Sequence, residues 1–122
     1  MRPWLCTAAI LGALAVICGA FAAHGLAARL SPDAREIFET GARYHMYHAL
    51  AMGLAALAMR GEAVSRARLA AILFLAGIVL FSGSLYLLAL TGQTGLGLVT
   101  PFGGLAFILG WLALASAALR LP

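Results

Sequence analysis

The stretch LAAILFLAGIVLFSGSLYLLAL, Leu69 to Leu90, decides the class of fold. It contains no charged residue and exceeds the roughly 18 apolar residues that a membrane-spanning helix needs. Trp4 to Ala23 and Pro101 to Leu119 have the same character, and Tyr44 to Met59 is a shorter run with a polar start. The chain is 64% apolar and 10% charged, against about 25% charged residues in soluble proteins. These features predict an all-α integral membrane protein.

A single domain over residues 1–122 follows, because the four runs leave almost no sequence outside the membrane. The first run resembles a signal peptide, with Arg2 before it and Ala20-Phe21-Ala22 near its end. It is longer than the usual apolar core of about 7 to 15 residues, so we expect it to be retained. The predicted four-helix transmembrane bundle has helices at about 4–24, 32–59, 67–91 and 101–120.

The second helix carries the strongest start signal in the chain. Ser31 is a good N-cap, Pro32 fits the first helical position, and Asp33 and Glu36 lie near the positive end of the helix dipole. About ten residues therefore precede the apolar part as an amphipathic N-terminal extension along the interface. Its charges recur every four residues and can pair along one stripe: Arg35, Glu39 and Arg43.

All eight basic residues are arginines, and they are divided between the two sides of the predicted bundle. One side carries Arg2, Arg60, Arg66, Arg68 and Arg120, and the other carries Arg29, Arg35 and Arg43. The positive-inside rule places both termini in the cytoplasm, with the protein in a bacterial inner membrane. No basic patch suits nucleic acid. The uncharged connection TGQTGLGLVT predicts a flexible or re-entrant turn.

The segment GARYHMYHAL, Gly41 to Leu50, places polar residues inside an apolar helix. Counting 1.5 Å per residue from Arg60 puts His48 roughly 18 Å into a core of about 30 Å. Similar counts along helices one and three bring other polar side chains to the same half of the membrane. The candidate polar cluster is His24, Arg43, Tyr44, His45, Tyr47, His48, Ser82, Ser84 and Tyr86.

The histidines share one face of helix two, and this face favours close helix contact. At 100° per residue it contains Gly41, His45, His48, Met52, Ala56 and Met59, with Arg43 and Tyr47 on another face. We therefore interpret the histidines first as interhelical hydrogen-bonding groups. Gly41 also allows a bend. Next to the cluster, His24 ends helix one and Gly25 is expected in the left-handed C-cap position.

A metal site and a catalytic site are both less favoured than interhelical hydrogen bonding. A metal needs three or four ligands, and no cysteine or carboxylate lies at the depth of His45 and His48. Cys6 and Cys18 are both in helix one, roughly 18 Å apart, and are expected to be small buried hydrophobes. A catalytic serine would need an acid, but Glu39 lies roughly 13 Å from His48 along the helix. We expect no metal, no cofactor and no catalytic residue.

Four segments together are similar to a known family: GAFAAHGL (19–26), FETGARYHMYHALA (38–51), FSGSLYLLALTG (81–92) and TPFGGLAFILGWLALA (100–115). They resemble the domain-of-unknown-function 423 family of small bacterial membrane proteins, related to transmembrane protein 256 of eukaryotes. The resemblance implies four membrane helices and no established activity. The family pattern falls on His24, Gly25, Gly41, Tyr44, Tyr47, His48, Ser82, Gly83, Tyr86, Pro101, Gly103, Gly104, Gly110 and Trp111. His45 departs from it, since relatives often carry glutamine there, and Ala22 replaces a favoured glycine.

Two hypotheses about function remain. The protein is either a structural or accessory component of a membrane assembly, or a membrane-embedded binding site for a proton, ion, quinone or metal centred on His48. In the first case small residues would let helices approach closely within the bundle, within a self-associated form or against a larger complex. The expected packing residues are Ala15, Gly19, Ala23, Gly41, Gly83, Gly103, Gly104 and Gly110.

Overall fold

A computed structural model describes residues 1–122 and contains helices and no strand. The α-helices are α1 (Arg2–Ala23), α2 (Pro32–Leu57), α3 (Val64–Gly77), α4 (Gly83–Thr91) and α5 (Thr100–Ala118). Shorter helical segments are the 3₁₀ turns Gly61–Ala63 and Thr94–Leu98 and the π-helical turn Ile78–Ser82.

The π-helical turn joins α3 to α4 without a break, so the five α-helices form four rods. We call the continuous helical segment Gly61–Thr91 the third rod. Three segments are long and apolar enough to cross a membrane: Arg2–Ala23, Gly61–Thr91 and Thr94–Ala118. The prediction of an all-α membrane protein with four helices is confirmed.

The polar residues in its first half, histidines and tyrosines as well as charged side chains, keep α2 out of that set, but its position in the fold places it beside α1. At one end the rings of Phe38 and Phe21 make an edge contact with centroids 6.4 Å apart. At the other end Leu57 and Leu5 line the same small cavity. The part of α2 from Phe38 to Leu57 therefore covers the same depth as the apolar helix next to it, and completes the bundle.

The start of α2 is confirmed in detail. The Ser31 hydroxyl accepts a hydrogen bond from the Ala34 amide at 3.2 Å. Arg35 and Glu39 form the expected pair at 3.2 Å. Arg43 does not join this pair, and its guanidinium donates instead to the Thr40 hydroxyl at 3.1 Å.

Alanine dominates the interior, while most of the leucines and many other large apolar side chains face outward. Ala8, Ala15 and Ala22 recur every seven residues along α1, and all three are buried. Leu54 and Ile108, in contrast, are 55% and 59% exposed. Lipid solvates leucine as well as a protein interior does, so close backbone approach between small residues stabilises the bundle instead.

Two local expectations are wrong. The cysteines are not both buried, since Cys6 is exposed and Cys18 is half-buried. Gly25 is not left-handed, because only Gly61 and Gly92 have positive φ. A Cβ at Gly25 would instead lie 2.7 Å from the Phe21 ring, so the glycine makes room for that ring. The connection after Gly92 contains the 3₁₀ turn Thr94–Leu98. The helix α2 is continuous through Gly41.

Candidate functional site

His48 lies at the centre of the polar interior, and both of its ring nitrogens are hydrogen-bonded. Nδ1 is 2.7 Å from the carbonyl oxygen of Tyr44, one turn earlier on α2. The indole N–H of Trp111 on α5 donates to Nε2 at 3.1 Å. A carbonyl only accepts and an indole N–H only donates, so these partners assign the proton to Nδ1 of a neutral imidazole.

Aromatic rings enclose the same imidazole. The Phe107 ring stacks on His48 with centroids 3.5 Å apart and planes 7° apart. Phe74 approaches Trp111 edge-on at 5.1 Å. His48 is only 5% exposed and the rings fix its orientation, so it is positioned as a bridge between α2 and α5.

His45 makes a second contact, to the third rod. Its Nδ1 is 2.9 Å from the Tyr86 hydroxyl. Gly41 allows this approach, because a Cβ there would lie 3.0 Å from the Tyr86 ring. Nε2 of His45 is buried without a hydrogen-bond partner.

The two serines complete the contacts of the third rod. The Ser82 hydroxyl, in the π-helical turn, donates to the Gly41 carbonyl of α2 at 2.7 Å. The Ser84 hydroxyl donates to the Phe81 carbonyl at 2.9 Å and lies 2.6 Å from the Thr100 hydroxyl of α5. Neither serine bonds a histidine, so neither serine hydroxyl is placed for activation by an imidazole base.

The structure brings together six of the nine predicted polar residues and leaves three outside. The six are Tyr44, His45, His48, Ser82, Ser84 and Tyr86, with Tyr44 contributing its carbonyl while its ring is 40% exposed. His24, Arg43 and Tyr47 are exposed at the surface, and the His24 side chain makes no hydrogen bond. No group of three His, Cys, Asp or Glu side chains could hold a metal ion.

Sequence reasoning missed Trp111 as a partner of His48, although a signal existed. Trp111 lies nine residues before Arg120, about 14 Å along α5, which is within one helical turn of the depth predicted for His48. A buried indole N–H must find an acceptor, and inside a membrane the acceptors are few.

Some of the predicted packing residues lie at close contacts between helices, and others do not. Gly103 and Gly110 lie at tight contacts, because a Cβ would meet the Phe81 backbone or, at 2.7 Å, the Phe74 ring. Gly41 makes room for Tyr86, Gly104 is in ordinary contact distance of Phe81, and Ala15 is buried. Three predicted residues make no such contact: Gly19, Ala23 and Gly83. Gly77, which we had not predicted, lies directly under the Phe107 ring.

This fold and interior define the class: a small helical membrane protein whose polar side chains hydrogen-bond one another inside the bundle. The chain belongs to the family described as a protein of unknown function, DUF423, whose model matches residues 18–104. The predicted family resemblance is therefore confirmed.

Relatives match almost the whole chain. The UPF0382 membrane protein YwdK of Bacillus subtilis is 43% identical over 98% of both chains. A UPF0382 membrane protein of Haemophilus influenzae is 41% identical, covering 98% of this chain and 95% of the relative. The UPF0382 inner membrane protein YgdD of Escherichia coli is 38% identical, covering 98% and 92%. No solved structure matches.

Proposed function

We propose that the protein is a structural or accessory component of a membrane assembly and has no catalytic activity. The bonding of His48 carries this proposal, since Tyr44 and Trp111 already occupy both ring nitrogens. A histidine that serves as a metal ligand or proton carrier needs one nitrogen free for that purpose. Here the histidine fixes the position of α5 against α2.

The chain's outer surface supports the same proposal. Large apolar side chains on α5 are exposed and have no partner within the chain, including Phe102 at 68%, Leu105 at 54% and Leu112 at 62%. These side chains are on the outer surface of α5. The hydrogen bond from Trp111 to His48 determines how α5 is positioned. A second membrane helix, from another protein or from a second copy, would find a firmly oriented surface there.

The test is site-specific photo-crosslinking in the native membrane. A photoreactive phenylalanine analogue at Leu105 should give one discrete crosslinked product. The same probe at Leu69, which is similarly exposed on α3, is the matched control for nonspecific capture. An assembly role would be contradicted if both probes crosslinked to lipid alone and the protein, extracted in native lipid, had the mass of a monomer.

One observation favours the second function, a binding site centred on His48. His48, Tyr44 and Trp111 line an apolar groove of about 590 Å³ beside α5. A quinone carbonyl, or another acceptor, could take the indole hydrogen bond of Trp111 and so free Nε2 of His48 to accept a hydrogen bond from a donor. A proton, ion or metal would require the same release of Trp111.

Tryptophan fluorescence separates the two functions. We would titrate the purified protein with a short-chain benzoquinone, using Trp4→Phe so that Trp111 alone reports. Saturable quenching that His48→Gln abolishes while the fold persists would favour the binding site. No saturable quenching, with loss of the assembly or of the fold in His48→Gln, would favour the structural function.

We also propose that both termini face the cytoplasm of a bacterial inner membrane. The arginine distribution supports this orientation, with five arginines on the side of the termini and three on the other. A C-terminal fusion to green fluorescent protein should be fluorescent, and a C-terminal fusion to alkaline phosphatase should be inactive. The reverse pattern would contradict the proposed orientation.

A further inference from the structure

A groove follows the contact between α1 and α2 from the charged end of the bundle towards the opposite side. Its first part is a cavity of about 520 Å³ between α2 and the connection that follows α1, and its charged lining residues are Arg35, Glu36, Glu39 and Arg43. The second, of about 350 Å³, shares Glu39 and Arg43 with the first and continues over apolar residues of both helices. The third, of about 310 Å³, is apolar.

The three cavities lie on one side of the helix pair. Successive turns of α2 line them, with Glu39 in the first two, Met46 in the second and Gly53 in the third. At 100° per residue these positions fall within about 40° of one another. Together they form one amphipathic groove, with a charged head and an apolar floor.

Two glycines of α1 shape the apolar floor. Neither Gly12 nor Gly19 has any atom within 4 Å of the position of a Cβ, so neither glycine is required by helix packing in this chain. Gly19 lines the second cavity and Gly12 the third. The missing side chains leave open space beside Met46 in the second cavity and beside Leu50 in the third, where a flexible hydrocarbon chain could lie.

The charged head of the groove holds one cation and one anion without an ionic partner. Arg35 and Glu39 pair with each other, whereas Arg43 donates only to the Thr40 hydroxyl and Glu36 has no salt bridge. The two guanidinium groups and two carboxylates in this cavity balance in charge. This charge pattern complements a headgroup that carries both a phosphate and an ammonium group.

The depth of Arg43 also suits a headgroup. Arg43 lies 17 residues before Arg60, which is about 25 Å along the axis of α2. The hydrocarbon core is about 30 Å thick, so Arg43 lies near its outer edge. Tyr47, 52% exposed, lies beside it in the second cavity, and exposed tyrosines are typical of the membrane interface. Arg43 is therefore at the level where lipid phosphates meet the acyl chains.

We propose that this groove binds one aminophospholipid, a lipid of the phosphatidylethanolamine type. Arg43 binds the phosphate through charge-assisted hydrogen bonds, Glu36 accepts hydrogen bonds from the primary ammonium, and one acyl chain lies over Gly19 and Gly12. An anionic headgroup is disfavoured because it would meet Glu36 and Glu39 without an ammonium group to neutralise them. This site is separate from the His48 interior and does not depend on its function.

Native mass spectrometry of the delipidated full-length protein tests the site, with palmitoyl-oleoyl phosphatidylethanolamine and the matched phosphatidylglycerol as probes. We expect one saturable ethanolamine lipid, bound about tenfold more tightly than the glycerol lipid. Arg43→Gln should weaken it by about tenfold, as expected for loss of a charge-assisted hydrogen bond. Arg29→Gln, on the same side but outside the groove, is the matched control and should have no effect.

Gly19→Leu tests the apolar floor without a clash in the protein, since the space above Gly19 is open. It should displace the lipid, while Ala13→Leu on an exposed face of α1 outside the groove should not. Circular dichroism and thermal unfolding check that each variant is folded. Equal binding of both lipids, unchanged affinity in Arg43→Gln and Gly19→Leu, or a dimer that Gly19→Leu dissociates would each overturn the proposal.

Discussion

The hydrogen bond between Trp111 and His48 should make a measurable contribution to stability. Trp111→Phe keeps an aromatic ring beside Phe74 but removes the indole N–H, and leaves Nε2 of a histidine that is 5% exposed without a partner. Orphaning a buried group costs about 1–3 kcal/mol in soluble proteins. Interhelical hydrogen bonds in membranes contribute about 0.6 kcal/mol on average, up to about 1.7, because the dissociated helices also find partners. We expect a coupling of about 1 kcal/mol between the two side chains.

A double-mutant cycle isolates this coupling from the loss of ring area. The four proteins are the wild type, Trp111→Phe, His48→Leu and the double variant. Each would be unfolded in mixed micelles of mild detergent and sodium dodecyl sulfate, with helicity followed by circular dichroism. In the His48→Leu background, Trp111→Phe should cost about 1 kcal/mol less than in the wild type. If the two single effects add within about 0.3 kcal/mol, the bond contributes nothing and the structural interpretation of His48 fails.

Three further changes test the packing and the helix start. Gly103→Ala should destabilise the same unfolding transition by about 1–3 kcal/mol, because the new methyl group would meet backbone atoms of the third rod. Gly12→Ala, in open space, is its control and should be neutral or stabilising by up to about 1 kcal/mol; an equal loss in both would refute the steric argument. Ser31→Ala should cost about 1 kcal/mol through loss of the N-cap, and Ser31→Asp should restore it. Tyr86→Phe leaves Nδ1 of His45 without its hydroxyl partner and should lower stability by about 1 kcal/mol, whereas an unchanged midpoint would mean that the bond is dispensable.

Much of the fold could be predicted because it depends on residues close together in sequence. An uncharged run such as Leu69–Leu90 crosses a membrane whatever its neighbours are. The N-cap at Ser31 involves an amide three residues away. Rotation along one helix likewise predicted a histidine face on α2, and His45 and His48 are both 5% exposed.

Prediction of the interior was incomplete where partners come from distant parts of the chain. Trp111 lies 63 positions from His48, and only the packing of α5 against the third rod brings the two together. Depth counting included Arg43 and Tyr47 among the polar residues because it measures height and not direction. Both residues lie in the part of α2 that contains the polar cluster, but their side chains are exposed at the surface of the bundle.

The sequence by itself determined that this is a four-helix membrane protein, because hydropathy, caps and helical periodicity are properties of single segments. Only the tertiary structure decided which polar atoms meet, which glycines are close-packed and which leave hollows. Gly103 and Gly12 have the same residue type within apolar helices, yet one lies against a backbone and the other against open space. That difference depends on how the helices are rotated and inclined against one another, and the whole set of interhelical contacts fixes it.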